Sequence, residues 1–290
     1  MSIDHFSSVQ RTIRPVPDVS FIMPCYNEEE NIGYTVPRLI EAFELAGHNL
    51  QLVTVNNGSR DQTAVRLAEL AAEYPQVVVV NVEKNVGYGH GVMSGVPHTT
   101  AAWVGFIAAD GQVDAEDVVR LYTAVASTRK RVLGKVRRRF RMDGTIRWII
   151  SVCYNSFCKM LWPMLGSLDV NGTPRILPRD VLIAMGITSK NWMIDPEMLV
   201  KAHYMGLRVF EVNVFARMRG NGLSHVGATT CWEFFKNLLI MRFTLDTTSL
   251  PRDLGSMPME MPARLVARST PARASEVVSA TPLPNRQTVA

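Results

Sequence analysis

Several short polar clusters in this 290-residue chain carry side chains that can do chemistry. They are Pro24-Cys25-Tyr26-Asn27-Glu28, then Asn56-Asn57-Gly58-Ser59-Arg60-Asp61, then Ala109-Asp110-Gly111-Gln112. Carboxylates and amides of this kind accept and donate hydrogen bonds, and oxygen donors suit hard cations. A glycine run, Gly87-Tyr88-Gly89-His90-Gly91, follows Asn85. Lys135, Arg137, Arg138, Arg139, Arg141 and Arg147 form a basic cluster, and Arg219 stands in a later one. Guanidinium forks match phosphate oxygens, although a charge run can also be a solvated face. Asp195 and Glu197 flank Pro196 where a helix is expected to begin, a place that favours acids in any protein.

The elements that position these clusters are legible in the hydrophobic pattern. Val19–Met23, Leu50–Val55, Val77–Val82 and Trp103–Ala108 read as strands buried on both faces. Helical patterns follow each, over about 29–46, 61–73, 89–99 and 115–127. Such alternation predicts βαβ units and a mostly parallel, Rossmann-like α/β sheet flanked by helices. Ligands bind such sheets beyond the carboxyl ends of the strands. The three polar clusters fall at three of those ends. Each alone could be turn chemistry, but three at equivalent ends argue for a ligand site.

The second half reads differently. A basic stretch leads into a helix over 148–168. An irregular segment at 170–178 precedes a helix over 196–205, a strand over 207–216 and an amphipathic helix over about 230–243. Residues 1–17 read as a flexible arm. Residues 251–290, without an aromatic residue, read as a disordered tail. The domain spans 18–250, with a first half at 18–128 and a second half at 129–250.

The chain is 47% hydrophobic, enough for one large core, and its net charge of +5 suits a phosphate-bearing partner or an anionic membrane surface. No aromatic residues interleave with the basic cluster on a repeat, so nucleic acid is not expected as a partner. The four cysteines lack zinc-ligand spacing and read as reduced thiols. The first 17 residues hold no apolar leader-like run, and 148–168 contains Asn155, Lys159 and Pro163, a poor membrane span. These features predict a cytoplasmic protein.

Taken together, Pro24-x-Tyr26-Asn27-Glu28, Asn57-Gly58-Ser59-x-Asp61-x-Thr63, Asn85-x-Gly87-x-Gly89-x-Gly91 and Ala109-Asp110-Gly111-Gln112 resemble family-2 glycosyltransferases of the GT-A fold. Val170-Asn171-Gly172-Thr173-Pro174-Arg175 and Asp195-Pro196-Glu197 are similar to the polyprenyl-phosphate (dolichol-phosphate mannose) synthase type. The resemblance runs from about residue 19 to 243. A dinucleotide fold is set aside, because the glycine run is G-x-G-x-G and follows the third strand.

The resemblance implies roles. Pro24, Tyr26, Glu28, Asn56, Asn57, Gly58, Asn85 and Gly87 would hold the nucleotide of a nucleotide-diphospho-sugar donor. Asp110 and Gln112 would hold Mg²⁺ or Mn²⁺ on the pyrophosphate. The family usually carries D-x-D there, and Ala108 stands at the first position. One carboxylate, an amide and diphosphate oxygens can complete a hard cation's shell. Arg141, Arg147 and Arg219 would meet the acceptor phosphate, with Arg219 also on the leaving diphosphate. Asp195 and Glu197 would support catalysis. The acceptor implied is a polyprenyl phosphate met by peripheral membrane contact. A hydroxyl acceptor and a non-catalytic nucleotide-binding scaffold are the alternatives.

Overall fold

The computed structural model describes residues 16–141, 145–216 and 228–259. Among these residues one seven-stranded sheet runs in the order β3-β2-β1-β4-β6-β5-β7. The strands are β1 (Val19–Cys25), β2 (Leu50–Asn57), β3 (Val77–Val82), β4 (Trp103–Phe106), β5 (Val132–Arg141), β6 (Arg175–Pro178) and β7 (Arg208–Ala216). β1 is parallel to β2 and β4, and β2 to β3. β6 is antiparallel to both β4 and β5, while β5 and β7 are parallel.

Helices cover both faces. On one lie α1 (Glu29–Leu45), α2 (Thr63–Glu73) and α4 (Ala115–Ser127). Their stripes Ile32-Val36-Leu39-Ile40-Phe43, Leu67-Leu70 and Val118-Leu121-Tyr122-Val125 recur at helical spacing and pack on Val19, Phe21 and Met23 of β1. On the other face lie α3 (Tyr88–Gly95), α5 (Thr145–Leu161), α6 (Arg179–Ala184), α7 (Ile194–Tyr204) and α8 (Ala228–Thr244). Val92, Cys158, Leu182, Met198 and Leu238 meet Ile22, Val53, Val55 and Phe106 there. Alternate residues of β1 thus feed two cores, the pattern of a strand buried on both faces.

Several expectations change. β3 sits at the sheet edge and is half-buried along most of its length, because no strand covers its outer side. The basic stretch is a strand, β5, paired between β6 and β7. Its Lys135 is fully buried because Ser167, the Asp169 carbonyl and Glu211 meet its ammonium group. The segment expected to be irregular contains β6 and leads into α6. α5 ends at Leu161, just before Trp162-Pro163, rather than at 168. The tail does not begin at 251. Residues 254–256 form a 3₁₀ turn, Pro258 bridges to Lys130, and the Gly255 N–H donates to the Met205 carbonyl at 3.3 Å. Residues 1–15 of the expected arm and 260–290 of the tail fall outside the described residues.

Candidate active site

The strand order turns back between β1 and β4, so a crevice opens at their carboxyl ends. The loops after β1 and β2 are laced together at its edge. Asn27 lies in the left-handed region and accepts from the Arg60 N–H at 2.9 Å. The Glu28 N–H donates to Thr63 Oγ1 at 2.9 Å, and Asn31 Nδ2 donates to Glu28 Oε2 at 2.6 Å. Tyr26 projects beyond the strand end and is exposed. Pro24 lies inside β1, and its ring faces Gly91.

Beneath that edge, β2 ends in two buried amides. Asn56 accepts from the Ser59 N–H at 3.1 Å and donates to Asn81 at 3.1 Å. Asn57 Nδ2 donates to the Gly87 carbonyl at 3.2 Å and reaches Asn85 Oδ1 at 3.4 Å. Asn85 Oδ1 also accepts the Gly87 N–H at 2.9 Å. Gly58, with φ 70°, lies so close to this turn that a Cβ would stand 2.6 Å from the Asn85 nitrogen. The glycine run is equally constrained: a Cβ on Gly87 would meet the Lys190 carbonyl, and one on Gly89 the Ser189 carbonyl. The loop 188–192 therefore lies directly on the start of α3.

Glu197 holds that loop in place. It is almost fully buried and accepts from the Thr188 and Ser189 N–H groups at 3.0 and 2.8 Å, from the Thr188 hydroxyl at 3.2 Å, and pairs with Lys201 at 2.7 Å. Burial alone would raise its carboxyl. The bonds from Lys201, Ser189 and Thr188 outweigh burial and hold it below the usual range. Trp192, at the end of the same loop, stacks on Tyr88 with centroids 4.6 Å apart.

After β4, the carboxylate of Asp110 is buried on a turn made by Gly111 at φ 65°, and its Oδ1 accepts the Gln112 N–H at 3.2 Å. Across the crevice, Arg175 is fully buried. Its guanidinium donates to the carbonyls of Gly172, Val170 and Asp195, and Nη2 stands 3.2 Å from Asp195 Oδ1. Burial raises the Asp195 carboxyl although Arg175, Lys135 and Arg138 oppose it. Behind this pair, Arg138 grips Asp169 through two side-chain bonds of 2.9 Å. Burial would raise Asp169, but Arg138 and Lys135 keep it well below the usual carboxylate range. Burial also brings the Lys135 ammonium down to about 7.

Asn57 Oδ1, Tyr88 Oη, His90 Nδ1 and Asn171 Oδ1 are buried with no hydrogen-bond partner among the described residues, as is Trp103 Nε1 at the amino end of β4, while Asp195 Oδ1 has only its ion pair with Arg175. Burial, together with the charges of Asp195 and Asp110, pushes the Tyr88 hydroxyl far up against the opposing charge of Arg175. A buried unsatisfied polar atom costs about 1–3 kcal/mol.

The sequence-predicted residues thus divide. Asn57, Asn85 and Gly87 share one hydrogen-bonded cluster that Gly58 abuts, Asn56 bonds Ser59 and Asn81 beside it, Pro24 lies in β1, and Tyr26 and Glu28 stand on the adjoining loop. Asp110, Gln112 and Asp195 stand around the crevice. Glu197 clamps a loop. Arg141 ends β5 and Arg147 lies in the first turn of α5, but their side chains, and all of Arg219, fall outside the described residues. Sequence reasoning passed over Tyr88, Trp192, Asp169 and the buried roles of Lys135 and Arg175. Tyr88 sat inside the glycine run, and Arg175 inside a motif read for its turn. Among the described residues no group of three or more His, Cys, Asp or Glu side chains could hold a metal alone. Cys25, Cys153 and Cys158 are unpaired thiols.

Comparison with known proteins adds to this geometry. A dolichyl-phosphate beta-glucosyltransferase of Trichomonas vaginalis is 28% identical over 222 residues, 69% of this chain and 66% of the relative's own length, just under two thirds. The crystal structure of glucosyl-3-phosphoglycerate synthase from Mycobacterium tuberculosis, in complex with Mn²⁺, UDP and phosphoglyceric acid, superposes with a TM-score of 0.61 at 19% identity, covering 80% of each chain. A mycobacterial protein of known structure superposes with a TM-score of 0.62 at 19% identity, over 80% of this chain and 76% of that one. These likenesses establish the GT-A fold. The family described as Glycosyl transferase family 2 matches residues 20–186, more than half of the chain and every strand end that lines the crevice. With that span and those polar strand ends, the chain belongs to glycosyl transferase family 2.

Proposed function

We propose that this chain is an inverting glycosyltransferase that moves a sugar from a nucleotide-diphospho-sugar to a polyprenyl phosphate. The observation that carries the reading is the set of buried polar atoms without a hydrogen-bond partner on Asn57, at the carboxyl end of β2, and on Tyr88 and His90, in the first turn of α3. A nucleotide-diphospho-sugar supplies donors and acceptors of the kind those atoms lack. Asn56, Asn57 and Gly58 would line the nucleotide, with Pro24, Tyr26, Glu28, Asn85 and Gly87 around it. Asp110 and Gln112 fit a divalent cation in donor chemistry: one buried carboxylate and one amide, with diphosphate oxygens to complete the shell. Bound Mg²⁺ or Mn²⁺ would offset charge on the departing diphosphate. Arg219 is assigned the same task from sequence.

The acceptor assignment has its own support. An ionised lipid phosphate needs no general base, and Glu197 is already committed to Thr188, Ser189 and Lys201. The dolichyl-phosphate relative points the same way. Arg141 and Arg147 would then hold the acceptor phosphate. A second reading, a hydroxyl acceptor, rests on Asp195, whose raised carboxyl, held only by its ion pair with Arg175, suits a base.

The test is single-turnover transfer from labelled nucleotide sugars, with Mn²⁺, to a polyprenyl phosphate in detergent. Transfer is expected. Arg147→Ala should raise the acceptor KM by about 10–100-fold with donor binding unchanged. A silent Arg147→Ala, with transfer only to a hydroxyl acceptor, would replace this reading by the second.

A further inference from the structure

The pairing of β6, β5 and β7 brings three charged side chains into one row. Lys135 stands in register with Arg175 of β6 on one side and with Glu211 of β7 on the other. Lys135 and Arg175 are fully buried, and Glu211 is half-buried. Two neighbouring cations inside a protein repel each other, and each has lost its hydration. For stability alone, an apolar side chain of similar length at 135 would serve as well or better. What the ammonium adds is a set of directed bonds.

Those bonds go to the turn 167–172. The Lys135 ammonium donates to the Ser167 hydroxyl at 3.0 Å and to the Asp169 carbonyl, with Glu211 Oε1 at 3.5 Å. Glu211 accepts the Ser167 hydroxyl at 2.6 Å and the Leu168 N–H at 3.1 Å. Two strands thus hold the start of the turn. Arg138 clasps the Asp169 carboxylate, and Asn155 of α5 accepts the Val170 N–H at 2.9 Å. The far side of the turn carries the site. Its Val170 and Gly172 carbonyls accept from the Arg175 guanidinium, which also donates to the Asp195 carbonyl at 2.9 Å and pairs with the Asp195 carboxylate at 3.2 Å. One turn and one guanidinium therefore connect Lys135 to Asp195.

We infer that Lys135 is a positioning residue: through the 167–172 turn and the Arg175 guanidinium it fixes where the Asp195 carboxylate stands in the crevice. The inference rests on the transferase reading above and deepens it by adding a residue that acts from behind the crevice.

The same row makes the latch respond to pH. Burial, and then the charge of Arg175 on β6, lower the Lys135 ammonium to about 7 against Asp169 of the turn, Glu211 of β7 and Asp195 of α7, which favour its charge. Below that pH all three donors are present. Above it one donor and the charge are gone, and the turn loses part of its hold. The transfer rate should therefore fall as pH rises through about 7, while donor affinity stays constant. Stability runs the other way, because the buried charge is costly and its loss stabilises the fold. A merely structural role would make activity follow stability.

Two measurements on the full chain test the inference. One is single-turnover transfer to a polyprenyl phosphate with saturating donor, followed across the neutral pH range. The other is hydrogen exchange at the amides of 167–172, corrected for the intrinsic effect of pH. Lys135→Met should lower the rate by on the order of 10–100-fold below neutral pH, remove the fall with rising pH, and leave donor affinity unchanged. It should speed exchange at Leu168, Val170 and Gly172 while β1 keeps its protection. Ser167→Ala removes only the hydroxyl between Lys135 and Glu211. It should show the same changes in smaller measure, and it decides the matter if Lys135→Met does not fold. A wild-type rate in the variants overturns the proposal, as does a lowered rate with unchanged exchange at 167–172. So does a wild-type rate that rises with pH alongside the melting temperature. A wild type that transfers to no acceptor overturns the function reading instead, and exchange in the variants then decides whether Lys135 holds the turn.

Discussion

Glu197→Gln separates a clamp from a base. Glu197 accepts two backbone N–H bonds and one hydroxyl bond, and pairs with Lys201, which is itself almost fully buried and donates to the Gly186 carbonyl. Glutamine keeps one acceptor oxygen and loses the charge. Lys201 then becomes a buried cation without a counter-charge, and breaking such a pair costs about 3–5 kcal/mol. For a folded unit of this size each kcal/mol shifts the melting temperature by about 2–4 °C, so a fall of roughly 6–20 °C is expected. Lys201→Met in the same chain should recover part of it, because the unpaired cation is gone. The wild-type carboxyl is held below its ordinary value. Its contribution is therefore full above the unfolded carboxylate range and lost as pH falls through the folded value, so the gap between wild type and variant should close in acid. Thermal unfolding from neutral to acid pH, with single-turnover transfer measured well below both melting temperatures, checks each part. Transfer per folded molecule should persist. An unchanged melting temperature with abolished transfer would refute the clamp and make Glu197 part of the chemistry.

Other perturbations test the remaining contacts. Asp110→Asn should cut transfer by on the order of 10²–10³, EDTA should abolish it, and Ala108→Asp should keep activity or tighten metal binding; full activity of Asp110→Asn in EDTA removes the cation assignment. Truncation after residue 259 should leave the melting temperature nearly unchanged, whereas truncation after 250 should lower it measurably, because the Pro258 bridge and the 254–256 turn are lost. Lys135 titrates near 7 when folded, so the unfolded chain binds more protons between there and the ordinary lysine range, and this group's contribution to stability rises with pH across that window. Lys135→Met should flatten that rise in a pH series of thermal melts.

The first half of the fold was legible because its strands are continuous apolar runs with a polar residue at each carboxyl end. Pattern alone puts Asn56, Asn57 and Asp110 at the crevice, since a parallel sheet leaves few other places for them. The second half hid its strands behind charge. β5 reads Val-Leu-Gly-Lys-Val-Arg-Arg-Arg-Phe-Arg, and nothing local says that Lys135 points into a core. Its partners come from Ser167, Asp169 and Glu211, 32 to 76 residues away. Pairing with β6 and β7 fixed the segment as strand, and a charge pattern cannot encode such pairing.

The site shows the same division. Identities that act through the backbone, such as Gly58 and Gly87, were readable from turn chemistry. Asp195 and Glu197, two residues apart and identical in class, were not separable by sequence. One is buried in an ion pair with Arg175, and the other has spent both oxygens on a loop and Lys201. That difference depends on where loop 188–192 crosses α3, which in turn requires the small residues Gly87 and Gly89 beneath it. The glycine run and Glu197 are thus two ends of one device. Gly87 and Gly89 let the loop approach and Glu197 holds it there, so that Trp192 stacks on Tyr88 at the crevice where Asp110 and Asp195 stand.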